Sequence, residues 1–220
     1  MLMQRTIPST SLASAKRYAP VLLAASYAAG VVGLLLPQSR QLFQLLTPFH
    51  LLLTASILFW FHTGWSRQFI LFCLIAFGVG YGVEVAGVHT GKIFGEYRYG
   101  GAFGFKIFEV PLLIGVNWLV LVYIAGVICE PLKWPAWAKA ALAALLLIVL
   151  DVLMEPVSGT FDFWYWANDI IPVQNFVAWF ATAYLLLLLF YLLPLHRQNR
   201  IALPLYIMQL IFFVSLLLFT

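Results

Sequence analysis

The chain has 220 residues, 64% hydrophobic, 17% aromatic and only 9% charged, with a formal net charge of +4. That composition excludes a soluble globular domain and reads as an integral membrane protein. The twelve Lys and Arg are scattered among short loops rather than gathered into a stripe, so no nucleic-acid partner is implied and anionic membrane lipid suffices.

Apolar runs of about 20 residues, the length that crosses a bilayer, predict helices near 18–37, 42–62, 69–89, 109–129, 137–156, 172–193 and 201–219. The expected fold is all-α: a polytopic membrane bundle of about seven transmembrane helices in one integral membrane domain, 1–220. The first run follows Arg5, Lys16 and Arg17, but it is long for a signal-peptide core and is read as an uncleaved helix. With a cytoplasmic N-terminus, the inner segments hold Arg5, Lys16, Arg17, Arg67, Lys133, Lys139, Arg197 and Arg200. The outer ones hold Arg40, Lys92, Arg98 and Lys106. This bias favours N-in, C-out insertion, in a bacterial cytoplasmic membrane. Seven helices also place the two longer connections, 90–108 and 157–171, on one face.

The third helix carries Gly80, Glu84, Gly87 and Gly91 at offsets of four, three and four, which puts them on one face. Gly78/Gly82 and Gly87/Gly91 have GxxxG spacing, and close helix packing accounts for most of these glycines. It does not account for Glu84, because an ionised carboxylate at the bilayer centre costs about 2.5–3.5 kcal/mol. Glu109 falls before Val110 and Pro111, where the fourth helix is expected to begin, and a first-turn acid complementing the helix dipole explains it adequately. On the fifth helix Asp151 and Glu155 are four apart and stacked on one face. Two carboxylates that close cannot both ionise cheaply in a low dielectric, so a proton is held at neutral pH. Pro156 is expected to end or kink the helix there. The alternative is a pair of hydrogen-bond anchors for neighbouring helices.

The loops behind these acids, FGEYRYG (94–100) and FDFWYW (161–166), are aromatic clusters on one face. Interfacial anchoring explains any single ring, but five rings in 161–166 exceed what one loop needs. Such rings can stack on a polyene or stabilise a cation. Asn117 with Trp118, and Asn175 with Trp179, put amides into apolar sequence, by default as interhelical hydrogen bonds. Glu84, aromatic loop, Val110-Pro111, Asn117 and Trp118 echo Glu155, aromatic loop, Ile171-Pro172, Asn175 and Trp179, as if helices three and four faced five and six across a site.

His50, His62, His89 and His196 form no HxxxH or HxxHH cluster, and Cys73 and Cys129 have no metal-type spacing. The last helix has no lysine for a retinal Schiff base. The available chemistry is that of carboxylates, tyrosines, amides and rings.

Glu84 with VHTGKIFGEYRYG (88–100), VPLLIGVNW (110–118), LDVLMEP (150–156) and FDFWYWANDIIPVQNFVAWF (161–180) resembles the CruF-like carotenoid biosynthesis family, polytopic carotenoid 1,2-hydratases. The similarity covers about residues 69–193. It implies a glycine where Glu109 stands, and addition of water to the terminal double bond of an acyclic carotenoid, lycopene-like or cyclised at one end, without a cofactor. Association with other carotenoid enzymes also follows from it. On this reading Asp151 and Glu155 hold the catalytic proton, and Glu84 is either the water-orienting base or a second member of the acid network. Tyr97, Tyr99, Trp118, Trp164 and Trp166 line the substrate pocket, and Asn117 and Asn175 orient carboxylates or water. A proton-coupled transporter and a non-catalytic carotenoid-binding protein are the competing expectations.

Overall fold

The computed structural model describes residues 9–220, with side-chain surroundings from Lys16 onward; Arg5, counted above, lies outside the described residues. Seven α-helices follow the expected runs: α1 Ser9–Leu35, α2 Arg40–Trp60, α3 Arg67–Thr90, α4 Leu113–Cys129, α5 Ala136–Met154, α6 Val173–Leu192 and α7 Ala202–Phe219. Six are long and apolar enough to cross a membrane. The protein is a multi-pass integral membrane protein.

The exception in length is α4, which has 17 residues and a reach of about 25 Å. It is buried nearly all round, from Ile114 to Cys129, as expected of a helix apolar on every face. It packs against α2, α3, α5, α6 and α7 and so forms the bundle's axis. Small residues bring neighbours close: a Cβ on Gly115 would stand 2.7 Å from Phe77, and one on Gly126 2.6 Å from Phe190. Gly80 and Gly87 on α3 serve the same purpose against Trp118 and Phe94. The Gly78/Gly82 pair does not, since a Cβ on either meets nothing within 4 Å. That half of the GxxxG expectation is corrected: spacing alone does not say which face of α3 is turned inward.

Two short antiparallel ribbons form between the helices. β1 (Tyr97–Tyr99) pairs with β4 (Trp164–Trp166) in the register Tyr97↔Trp166, Arg98↔Tyr165 and Tyr99↔Trp164. The two long loops therefore do share one face, and they are joined by backbone as well as by aromatic packing. Strand alternation sends Tyr97, Tyr99, Trp164 and Trp166 toward the bundle. Arg98 lies outside, with its guanidinium 4.4 Å from the Tyr165 ring.

The second ribbon, β2 (Lys106–Ile107) with β3 (Val110–Pro111), is a two-residue hairpin. It corrects the placement of Glu109, which is exposed at the hairpin tip rather than in the first turn of α4. Phe108 and Glu109 have φ of 49° and 63°, the left-handed pair that the twist of a tight hairpin demands and that glycine fills best. Glu109→Gly is therefore expected to raise stability by about 0.5–1 kcal/mol. Thermal unfolding in detergent checks it, and a lower midpoint would contradict the strain argument.

Candidate functional site

Glu84 lies in the penultimate turns of α3, and Asp151 and Glu155 lie at the end of α5, where Pro156 turns the chain into a 3-10 segment, Glu155–Val157. All three carboxylates are buried. Each glutamate is held by neutral donors from two directions. Glu84 Oε2 accepts from the Tyr97 hydroxyl at 2.5 Å and the Tyr99 hydroxyl at 2.8 Å, while Oε1 accepts from Trp118 Nε1 at 3.0 Å. Glu155 Oε2 accepts from Trp164 Nε1 at 2.9 Å and Trp166 Nε1 at 2.6 Å, while Oε1 accepts from Asn175 Nδ2 at 2.9 Å.

The two constellations are joined by the ribbon. In each, a helix carries the acid near its end, the following strand supplies two aromatic donors with one residue between them, and the next helix supplies a third donor, Trp118 or Asn175. The antiparallel pairing of β1 with β4 brings the two sets of donors side by side. The echo seen in the sequence does not carry over residue for residue, since the third donor is Trp118 to Glu84 but Asn175 to Glu155. Trp118 and Trp179 stack with ring centroids 4.1 Å apart.

Burial and the Glu84 carboxylate push the phenols of Tyr97 and Tyr99 above their ordinary range, so both remain proton-bearing donors at neutral pH. The Asn175 amide also donates to Asp151 Oδ2 at 3.1 Å, bridging Asp151 to Glu155. Asp151 Oδ1 has no hydrogen-bond partner.

Glu84 and Glu155 line one cavity of about 30 Å³ together with Phe94, Tyr97, Tyr99, Ile114, Asn117, Met154, Trp164, Trp166, Asn175 and Trp179. That is room for a water molecule. Beside it lies a much larger apolar cavity of about 340 Å³ among α1, α2, α4, α5 and α7. Asn117, Met154 and Trp164 line both. Asp151 and Trp118 stand behind the walls, Asp151 through Asn175 and Trp118 through Glu84. Glu109, on the hairpin, is not among the lining residues.

Sequence reasoning missed Met154, Ile114 and Phe94 as lining residues, which carry no signal beyond apolarity. It also missed the role of the indole N–H groups as carboxylate donors. The W-x-W and Y-x-Y alternation behind each acid was the signal available for that. Gly80 makes the Trp118 contact possible, because a Cβ there would stand 2.4 Å from the Trp118 Cβ and Cγ. Gly80→Ala is expected to displace the indole from Glu84 at a cost of about 1–3 kcal/mol. Gly78→Ala, over open space, is expected to be neutral or slightly stabilising. Equal unfolding midpoints for the two variants would show that Trp118 is not held this way.

Fold and site together define a polytopic membrane protein whose bundle closes over a desolvated group of carboxylates beside an apolar cavity. The chain belongs to the carotenoid biosynthesis protein family, whose model matches residues 45–220. Over 123 residues it is 27% identical to the bisanhydrobacterioruberin hydratase of Haloarcula japonica. That alignment covers 50% of this chain and 40% of the relative, so it reaches less than half of that protein's length. No solved structure matches the chain.

Proposed function

We propose that the protein is a carotenoid hydratase, adding water across the terminal C1–C2 double bond of an acyclic carotenoid end. One observation carries the reading. Two carboxylates from separate helices, each held by three neutral donors, line a water-sized cavity that shares a wall with a long apolar one. A polyene lying in the larger cavity brings its end past Asn117, Met154 and Trp164 to the acids.

Glu155, backed by Asn175 and Asp151, delivers a proton to C2, the less substituted carbon, and the π pair becomes the new C–H bond. The positive charge falls on C1 as a tertiary carbocation, among the faces of Tyr97, Tyr99, Trp164, Trp166 and Trp179. The carboxylate that forms on Glu155 meets N–H groups already in place, so its charge is received without reorganisation. Water held by Glu84 attacks C1, forming the C–O bond, and Glu84 takes the proton the water loses. The proton then returns from Glu84 to Glu155 through the water that refills the cavity, closing the cycle. No redox equivalent is consumed.

The related hydratase named above supports the reaction class, and the aromatic lining supports a cationic intermediate. Expression in a host that makes acyclic carotenoids, followed by chromatography and mass spectrometry of the pigments, tests it. A gain of one water per reacting end is expected. Unchanged pigment with the protein present in the membrane would refute the reading and favour a carotenoid-binding or transport role.

A further inference from the structure

The larger cavity opens toward lipid between two helices. Among the described residues that line it, only Ala29 of α1 and Leu46 and Phe49 of α2 are exposed, Phe49 by 67%. They flank a gap between α1 and α2. On its ribbon side the helices touch, since a Cβ on Gly33 would stand 2.2 Å from the Phe43 ring. Deeper in the bundle they meet again where the Tyr27 and His50 rings pack edge-on with centroids 4.4 Å apart. These two contacts lie about 9–10 Å apart along the helices at 1.5 Å per residue. Between them Ser26 and Ala29 leave the α1 side without a large side chain.

The cavity cannot hold a carotenoid along its whole length. Pockets of roughly 300–1,000 Å³ enclose drug-sized ligands, so one of about 340 Å³ takes the end of such a chain and little more. Its deepest lining residue on α2, Leu53, lies about 20 Å from the start of that helix, short of the roughly 30 Å of the hydrocarbon layer. Farther down, Leu23, Ile57 and Leu58 are buried and fill the bundle. A chain with its end at Trp164 must therefore leave sideways, and the gap is where the lining meets the outside. The walls also bear on the occupant. Phe43, Phe49, Phe103, Phe163 and Trp164 offer ring faces along the path, which stack on a conjugated chain and gain less from a saturated acyl chain.

We infer that the gap between α1 and α2 is a lateral portal, through which a polyene enters from the bilayer and in which its unreacted part lies, beside Phe49, while the reacting end is at the acids. The inference rests on the hydratase reading for what the cavity holds. Ala29 sets the width of the portal, and the Phe49 ring lies against the chain where it leaves. Substrate is taken from the hydrocarbon layer and product returned to it without crossing water.

Two substitutions of equal size test the portal. Ala29→Phe fills the gap, whereas Ala25→Phe, one turn deeper on α1 and exposed, lies outside the cavity lining. In a host that makes acyclic carotenoids, with equal protein in the membrane, Ala29→Phe is expected to lower hydrated product about tenfold or more and Ala25→Phe to stay within about twofold of wild type. A second measurement needs no catalysis. A diazirine-bearing phenylalanine analogue in place of Phe49, irradiated in membranes that contain acyclic polyene, is expected to give a protein adduct with the mass of the polyene. The same analogue in place of Leu52, which is exposed but outside the lining, is expected to give lipid adducts only. Wild-type product from membrane-embedded Ala29→Phe, lipid adducts alone at position 49, or equal capture of polyene at 49 and 52 would overturn the portal and leave the hydratase reading standing. Polyene captured at 49 by a protein that hydrates nothing would overturn the hydratase reading and keep the portal. Should Ala29→Phe fail to accumulate in the membrane, the capture measurement decides alone.

Discussion

On the proposed hydratase reaction, Glu84→Gln is expected to leave a folded protein whose hydrated product falls by about 100-fold or more. The reason lies in what surrounds each oxygen. Glu84 Oε2 faces two hydroxyls, which can turn and accept, and Oε1 faces Trp118 Nε1, which can only donate. The new amide therefore puts its NH₂ toward Tyr97 and Tyr99 and its carbonyl toward Trp118, so that no N–H is set against another. Only the capacity to take a proton from water is removed. Glu155→Gln behaves differently. All three of its donors are N–H groups, so one of them must face the new NH₂ unless Asn175 inverts. Inversion turns the Asn175 oxygen toward Asp151 Oδ2, which is acceptable only while Asp151 carries a proton on that oxygen. Glu155→Gln should thus lose activity and also about 1–3 kcal/mol of stability, and the stability part should be smaller in acid. Pigment analysis of membranes matched for protein content, with unfolding midpoints for both variants, makes the comparison. Glu84→Gln retaining more than about a tenth of wild-type product would remove Glu84 from the chemistry.

The seven helices and their three embedded acids were legible because both are signals of composition against a single background. A run of apolar residues long enough to span, and a carboxylate within it, each stand out without knowledge of any neighbour. The partners of the acids were harder to see. Tyr97 and Tyr99 lie 13 and 15 residues beyond Glu84, and Trp164 and Trp166 lie 9 and 11 beyond Glu155. Strands of three residues carry too little period-2 pattern to separate from a belt of interfacial anchors. Glu109 was misplaced because Val110-Pro111 satisfies the rule for a helix start and equally well ends a hairpin. Tyr27, His50 and Gln209, which line the larger cavity, had no shared local signature, since they come from α1, α2 and α7 and meet only when the bundle closes. Gly78/Gly82 shows the converse, a recognised motif turned away from every neighbour. What is local in the chain could be read from it, and what depends on which faces meet could not.

Gly100→Ala is expected to leave little folded protein and to abolish the proposed hydration, because the site is assembled by the ribbon and this glycine is where the ribbon closes. A Cβ at Gly100 would stand 2.1 Å from the Asp162 carbonyl oxygen. That oxygen is backbone, and it is already committed to Ala102 N, while Gly100 N is bonded to Phe163 O. Asp162 itself is held in a left-handed conformation, φ 60°, by Gly101 N and the Tyr165 hydroxyl on its carboxylate. The strands must therefore separate to admit the methyl. Separation draws Tyr97 and Tyr99 away from Glu84, or Trp164 and Trp166 away from Glu155, and leaves a buried carboxylate with a single donor. Breaking such a desolvated group costs about 3 kcal/mol or more, a large part of the stability of a domain this size. The neighbouring Gly101→Ala is the control. Its Cβ would meet only the Asp162 carboxylate oxygen at 3.0 Å, a side-chain tip that can give way, so reduced but measurable product is expected. Detergent-resistant monodisperse protein and pigment conversion, measured for both, decide the matter. Gly100→Ala matching Gly101→Ala in both would mean that the two halves of the site are held together by the helices alone.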